Sequence, residues 1–367
     1  MATRQAKTWQ RALIALGVAA SLSTTPTRAQ TSSAGTLDFD TRIKVLLSKL
    51  REAPTDAGVQ TEARALGIEL LRVTRYEEAA ALFVALRDAA PEDPAALYGG
   101  ALALFNLRRI AEAEVWARAA VDRSLDGGEP GPAAAERAPS FGSVADALVL
   151  LGIILSVKGD NSESIAALSR AVTLAPGNFD AQFALGRALY GSGDPTSAAR
   201  AFRAAIALKP ADAQARFFLA TSLERAGDDA SALAAYKDLI AVAPSVAEGH
   251  LGVGALLVKR NDDELNEGIR ELEKALAINE RLYEGQVALG RALIRTGRVA
   301  ESIAPLKRAA ELAPDNPEPH YQLAIAYRRL GRKDAADAET AIVKKIHAAK
   351  RSSSVARSDE AEPANKP

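Results

Sequence analysis

The chain has 367 residues, with 46 Lys+Arg balanced by 46 Asp+Glu, three His and no Cys. A net charge of zero argues against a nucleic-acid binder, whose affinity rests largely on neutralising phosphates. The absence of cysteine excludes disulfides and thiol nucleophiles, three histidines leave little for a zinc site, and 48% apolar residues are ample for a core.

Residues 1–29 read as an export signal. Arg4, Lys7 and Arg11 give a basic start, and Ala12 to Leu22 is apolar but too short to span a bilayer. Small residues at Thr27 and Ala29 fit cleavage after Ala29, and the lack of an Arg-Arg pair disfavours the twin-arginine route. An uncleaved anchor or a cytosolic helix are the alternatives. No other segment is long and apolar enough to cross a membrane, so the expectation is a soluble periplasmic or secreted chain with no membrane span after cleavage.

Residues 30–58 are expected to hold a linker and a capping helix. LDFDTRIKVLLSKLREAP sets Phe39, Ile43, Leu46 and Leu50 on one helical face. From there the chain repeats a phrase: AVTLAP at 171–176, AIALKP at 205–210, LIAVAP at 239–244, ALAINE at 275–280 and AAELAP at 309–314, in steps of 34, 34, 36 and 34 residues. Each repeat is numbered so that this phrase ends at position 32. Position 8 is then Gly67, Ala101, Gly152, Gly186, Ala220, Gly254, Gly290 and Ala324. Position 20 is Ala79, Ala113, Ser164, Ala198, Ala232, Gly268, Ser302 and Ala336, again always small. Position 24 is usually bulky: Phe83, Leu168, Phe202, Tyr236, Leu272 and Leu306.

Two amphipathic helices joined by a short turn account for this pattern. Small residues let the two backbones approach, and large ones fill the space beside them. Gly159, Gly193, Gly227, Gly297 and Gly331 stand where a first helix must stop. Pro91, Pro176, Pro210, Pro244 and Pro314 close the second helix. One such hairpin cannot bury its apolar stripe alone, so neighbours must stack.

The pattern resembles the tetratricopeptide repeat family, and ALGRALYGSGDPTSAARAFRAAIALKP (184–210) shows it in full. The family tryptophan at position 4 is replaced throughout, with His250 and His320 in two of the repeats. The resemblance implies an all-α fold: a right-handed α-solenoid of about eight stacked helix-turn-helix repeats with capping helices. Repeats 1–2 are assigned to 60–127, a Gly/Pro-rich insertion to 126–144, repeats 3–8 to 145–350 and a disordered tail to 351–367. The insertion is either a surface excursion or a loop folding over the groove. The 36-residue step reads as two residues added to the turn inside repeat 6.

No phosphate loop, HExxH or G-x-S-x-G motif is present. His250 and His320 stand two repeats apart, roughly 20 Å at the usual spacing of packed helices, too far to share a metal. No catalytic residues, no metal and no cofactor are expected, and the chain is read as a non-enzyme. Asp180, Glu248, Glu284 and Glu318 sit in first turns, where the helix dipole favours carboxylates.

In the family, the first helices line a concave groove and present positions 2, 5, 9, 12 and 13. Carried onto this sequence, the resemblance implies a partner-binding groove of Tyr98, Phe183, Arg187, Phe217, Arg225, Lys259, Arg291, Arg295, Tyr321 and Arg328. Its aromatic members fit either groove or inter-repeat core. Its basic members imply a protein or peptide partner with acidic residues. The implied role is a protein-protein interaction scaffold outside the cytoplasm, in envelope assembly or secretion. The alternative is an accessory that holds an anionic polysaccharide during export.

Overall fold

The computed structural model describes residues 33–125, 141–260 and 263–360. The signal reading at 1–29, nearly all of the Gly/Pro-rich insertion and the last residues of the tail lie outside these. Among the described residues every regular element is an α-helix. The chain divides into two compact units, Met1–Ala215 and Arg216–Pro367.

The first unit opens with α1 (Ser33–Glu52). Four hairpins follow: α2 (Ala57–Arg72) with α3 (Tyr76–Ala89), α4 (Pro94–Asn106) with α5 (Ile110–Leu125), α6 (Val144–Lys158) with α7 (Asn161–Leu174), and α8 (Phe179–Ser192) with α9 (Pro195–Leu208). Ile43, Leu46 and Leu50 of α1 are buried in the same core as α2 and α3. Arg75 fastens this cap by hydrogen-bonding Asp40 and Glu78. The α6 helix is apolar on nearly every face because it is packed between neighbours on both sides, and ten of its residues are buried.

The boundary between the units falls in the first turn of α10 (Ala213–Arg225). Most of α10 therefore belongs to the second unit, with its partner α11 (Asp229–Val242). The pairs α12 (Ala247–Arg260) with α13 (Leu265–Ile278), α14 (Tyr283–Arg295) with α15 (Ile303–Leu312), and α16 (Pro317–Arg329) with α17 (Lys333–Glu360) complete it. The short α15 has a local cause. Pro305 has no N–H to offer the carbonyl of Glu301, so the helix starts at Ile303 and places the proline in its first turn.

The small-residue columns explain the packing. An ideal Cβ on Gly67 would lie 2.7 Å from the Phe83 ring, and one on Gly99 of the next repeat 2.4 Å from the same ring. Position 24 thus sits between its own first helix and the following one. Gly152 faces Leu168, Gly186 faces Phe202, Gly254 faces Leu272 and Gly290 faces Leu306 in the same way. At position 20, Ser164 stays small and donates its hydroxyl to the Gly152 carbonyl, 2.7 Å away.

The ends of the helices follow the sequence signals. The five expected C-cap glycines have φ between 71° and 93°, in the left-handed region. Thr74 and Arg108 occupy that conformation in repeats 1 and 2, each with φ 63°. The second helices α3, α7, α9, α11 and α15 each end two residues before their proline. The α13 helix ends at Ile278, two residues before Glu280, so the register holds without a proline there. One boundary differs from the sequence reading: α17 stays helical to Glu360, where disorder was expected from residue 351. Alanine and long charged residues in 341–351 favour helix strongly enough to carry it past the last packed turn.

Candidate functional site

On a first helix, positions 2, 5, 9 and 12 recur every three or four residues and share one face. That face is the candidate site, and each unit carries its own stretch of it.

In the first unit the aromatic members turn out to be core. Tyr98 is 8% exposed and packs edge-on against Phe141, with ring centroids 5.1 Å apart. Phe183 is equally buried, stacked on Phe179 at 5.7 Å and edge-on to Phe202 at 5.7 Å. Neither ring is available as groove lining. Sequence could not make this assignment, because a residue that packs on the next repeat and one that faces a ligand share the same helical spacing. Arg187 is half-buried, and burial depresses its guanidinium below the usual arginine range.

Two carboxylates at position 2 accompany them. Burial raises both Asp146 and Asp180 above the ordinary aspartate range. Asp146 accepts from the backbone N–H of Ser143 in a capping box, while Lys209 partly offsets the shift at Asp180. Burial, reinforced by these two charges, also pushes the Tyr98 phenol upward.

In the second unit more of the face is open. Phe217 is half-buried and edge-on to Phe218, at 5.6 Å. Tyr321 is 54% exposed. Arg225, Lys259, Arg291, Arg295 and Arg328 are all exposed. Four of these, Arg225 among them, are already engaged. Lys259 forms an ion pair with Asp229 at 2.6 Å, which raises its ammonium above the usual lysine range. Arg295 donates to the Val258 carbonyl at the end of α12. Arg328 donates to the Thr340 hydroxyl at 2.9 Å. Arg291 forms no hydrogen bond or ion pair with any described residue.

The basic column is matched by an acidic one at the opposite end of the same helices: Glu248, Glu284 and Glu318 at position 2. Burial, with the charges of Glu318 and Glu284, pushes the Tyr283 phenol up to about 12. The face is therefore polarised across its width, with acids at the helix starts and bases at the helix ends. The helix dipole alone accounts for each first-turn acid singly but not for their alignment in a row.

Sequence reasoning also missed a pairing. His250 Nδ1 lies 2.6 Å from Glu271, and His320 Nδ1 lies 2.6 Å from Glu339. Position 4 carries His in the same two repeats that carry Glu at position 23, and that co-occurrence was the available signal. His250 Nε2 also meets the Pro244 carbonyl at 3.1 Å. Gln286 at the same position donates to the Glu280 carbonyl at 2.9 Å. Position 4 therefore satisfies a carbonyl at the end of the preceding second helix. Among the described residues no group of His, Cys, Asp and Glu is arranged to hold a metal ion.

Comparison with known proteins gives one answer. Tetratricopeptide repeat models match residues 64–129 and 183–247, and a second such model matches 145–178. A further TPR repeat model matches 290–331. No curated protein matches the chain. Among solved structures, the C-terminal part of a TPR repeat-containing protein from Cytophaga hutchinsonii is 15% identical. The match covers 71% of this chain and 99% of that one, with a TM-score of 0.55. YrrB, described as a TPR protein with an unusual peptide-binding site, is 20% identical, covering 55% of this chain and 95% of its own, with a TM-score of 0.46. PilF of Pseudomonas aeruginosa is 16% identical over 55% of this chain and 91% of its own, with a TM-score of 0.47. The family matches together span more than half of the sequence and fall on the helical hairpins described above, so the chain belongs to the tetratricopeptide repeat family.

Proposed function

We propose that the first-helix face of the second unit binds a segment of another protein, and that it does so outside the cytoplasm, during envelope assembly or secretion. Tetratricopeptide repeats generally serve as non-catalytic platforms for protein or peptide partners. The observation that carries the reading is the open part of this face: exposed Tyr321, with Arg291 free of any bond to a described residue and Arg328 exposed on the next first helix. Tyrosine and arginine are enriched among the few residues that dominate binding at protein interfaces, through large contact area and bidentate grip of carboxylates. The placement outside the cytoplasm rests on the basic and apolar pattern of residues 1–29.

The test uses fluorescence anisotropy with two probes, an acidic peptide carrying interspersed leucines and a sulfated polysaccharide. The reading expects the peptide to bind. The paired substitution Arg291→Glu and Arg328→Glu should then weaken it about tenfold or more, by reversing two contacts on the face. Peptide binding unchanged by that reversal would sink the proposal. Polysaccharide binding without peptide binding would favour the carbohydrate accessory instead.

A further inference from the structure

The first helices of repeats 3 and 4 begin with two carboxylates that are left without an ion pair. Asp146 of α6 and Asp180 of α8 both stand at position 2, and the two helices pack directly on one another. Both side chains are half-buried. Asp146 accepts from the Ser143 backbone N–H at 3.2 Å but pairs with no cation among the described residues. Asp180 forms neither a hydrogen bond nor an ion pair with any described residue.

The helix dipole favours an acid in a first turn. Burial prevails over it here, and both groups are held above the ordinary aspartate range. At Asp180 the like charges of Asp146 and Asp212 add to the shift, and Asp212 itself caps Ala215 at 2.7 Å. Lys209 offsets part of this charge. Its ammonium lies over the Phe179 ring, however, 4.0 Å from the centroid, and pairs with no described carboxylate.

Tyr98 of α4 adds a second unsatisfied group. Its ring packs on Phe141 and on Gly142, where an ideal Cβ would lie 3.2 Å from Tyr98 Cβ. Gly142 directly precedes the Ser143 that Asp146 holds. The residue is 8% exposed, yet its hydroxyl forms no hydrogen bond with any described residue. The described polar atoms sealed from solvent without a partner are Arg75 Nη1, Asp229 Oδ1 and Glu264 Oε2. The Tyr98 oxygen is not among them, so it reaches the surface, where the charges of Asp146 and Asp180 both act on it. A tyrosine buried to this degree ordinarily finds a hydrogen-bond partner.

We propose that Tyr98, Asp146 and Asp180 form a socket for an arginine side chain of a protein partner. A guanidinium carries five N–H donors in a planar fork, enough to serve both carboxylates and the phenol oxygen together. It is also weakly hydrated, so it enters a half-buried site more readily than an ammonium. Half-buried carboxylates without a cation are unfavourable, and the bound guanidinium relieves that penalty. The socket has the opposite sign to the exposed arginines of the second unit and does not depend on the function proposed for them.

Fluorescence anisotropy reads the result, with a short Gly/Ser peptide carrying interspersed arginines and a twin carrying citrulline in their place. The intact chain should bind the arginine peptide below about 1 mM, and the neutral twin about tenfold more weakly or less. Asp180→Asn should weaken binding about tenfold, and Tyr98→Phe, which keeps the packed ring, about threefold. Glu284→Gln and the pair Arg291→Gln/Arg328→Gln, all on the second unit, should leave it within about twofold, so the two sites fail independently. Thermal melting separates a ligand role from a structural one. Asp180→Asn removes an unpaired charge, so the free variant should melt no lower than the native chain. The proposal is overturned if the arginine peptide does not bind, if the citrulline twin binds equally well, or if Asp180→Asn leaves affinity unchanged. A lower melting temperature for Asp180→Asn overturns it too, because the carboxylate would then serve the fold. Displacement of the peptide by calcium chloride at matched ionic strength would overturn the arginine assignment in favour of a metal ion.

Discussion

The Arg329 guanidinium donates a hydrogen bond to the Ile294 carbonyl at 2.8 Å, joining the end of α16 to the end of α14. Arg295 does the same one repeat earlier, to Val258 at the end of α12. Both reach carbonyls of a helix C-terminus, which have no partner within their own helix and lie at the negative end of its dipole. Position 13 is Arg225, Lys259, Arg295 and Arg329 through the second unit, so a column that resembles ligand-facing charge also fastens one repeat to the next.

Replacing Arg329 by Met keeps the side-chain stem and removes this bond. The second unit should lose about 1 kcal/mol, at the low end for a bond to a charged group because the site is solvent-accessible. Arg291→Met, at a position with no such bond, should leave stability unchanged within about 0.5 kcal/mol. Urea unfolding followed by circular dichroism compares the two directly. Equal losses would show that position 13 contributes no special fastening.

Gly186 supplies a sharper test of the packing. A Cβ there would lie 2.7 Å from Phe202 Cε1, and Phe202 is fully buried. Gly186→Ala must push the ring aside, and Gly186→Leu must separate α8 from α9, costing about 1–3 kcal/mol by overpacking. The melting temperature should fall in the order glycine, alanine, leucine. A leucine variant that melts with the native protein would contradict the assignment of position 8 as the seat of position 24.

Thr74 should respond in the opposite direction. It closes α2 with φ 63°, a conformation that a β-branched residue adopts only under strain. Five other repeats place glycine there. Thr74→Gly should stabilise the first unit by about 1 kcal/mol, because relief of the backbone outweighs the entropy glycine adds to the unfolded chain. Thermal melting measures it, and a lower midpoint would mean that the threonine side chain contributes more than its backbone costs.

The hairpins were legible because their cause is local and periodic: small residues at 8 and 20, a bulky residue at 24, glycine and proline at the stops. Even the loss of proline at Glu280 left the register readable from the columns on either side. The face of the first helices was less legible. Tyr98 and Tyr321 share position 5, yet one is packed against Phe141 and the other is exposed. The difference depends on which element packs over each repeat, and no feature of position 5 encodes it. Lys259 likewise looked like free groove charge until α11 brought Asp229 to it.

The His250–Glu271 pair adds a pH dependence whose sign is fixed by the carboxylate. Burial acts to raise Glu271, but hydrogen bonds from Lys274 and His250 outweigh it and hold the group below the usual glutamate range. A carboxylate depressed in the folded state contributes stability that is present above its unfolded value, about 4.3, and is lost as pH falls through the lower folded value. His250→Ala removes the ring that meets both the Glu271 carboxylate and the Pro244 carbonyl. It should cost about 1–3 kcal/mol near pH 6, the range for a buried group left unsatisfied. His250→Gln should lose less, because an amide at this position can donate to the same carbonyl, as Gln286 does to Glu280. The Glu271-dependent part of each loss should shrink in acid, as protonation removes the carboxylate's interaction in every variant. Stability curves for the three proteins between pH 3 and pH 7 should therefore converge toward the acid end; parallel curves would show that the histidine acts through packing alone.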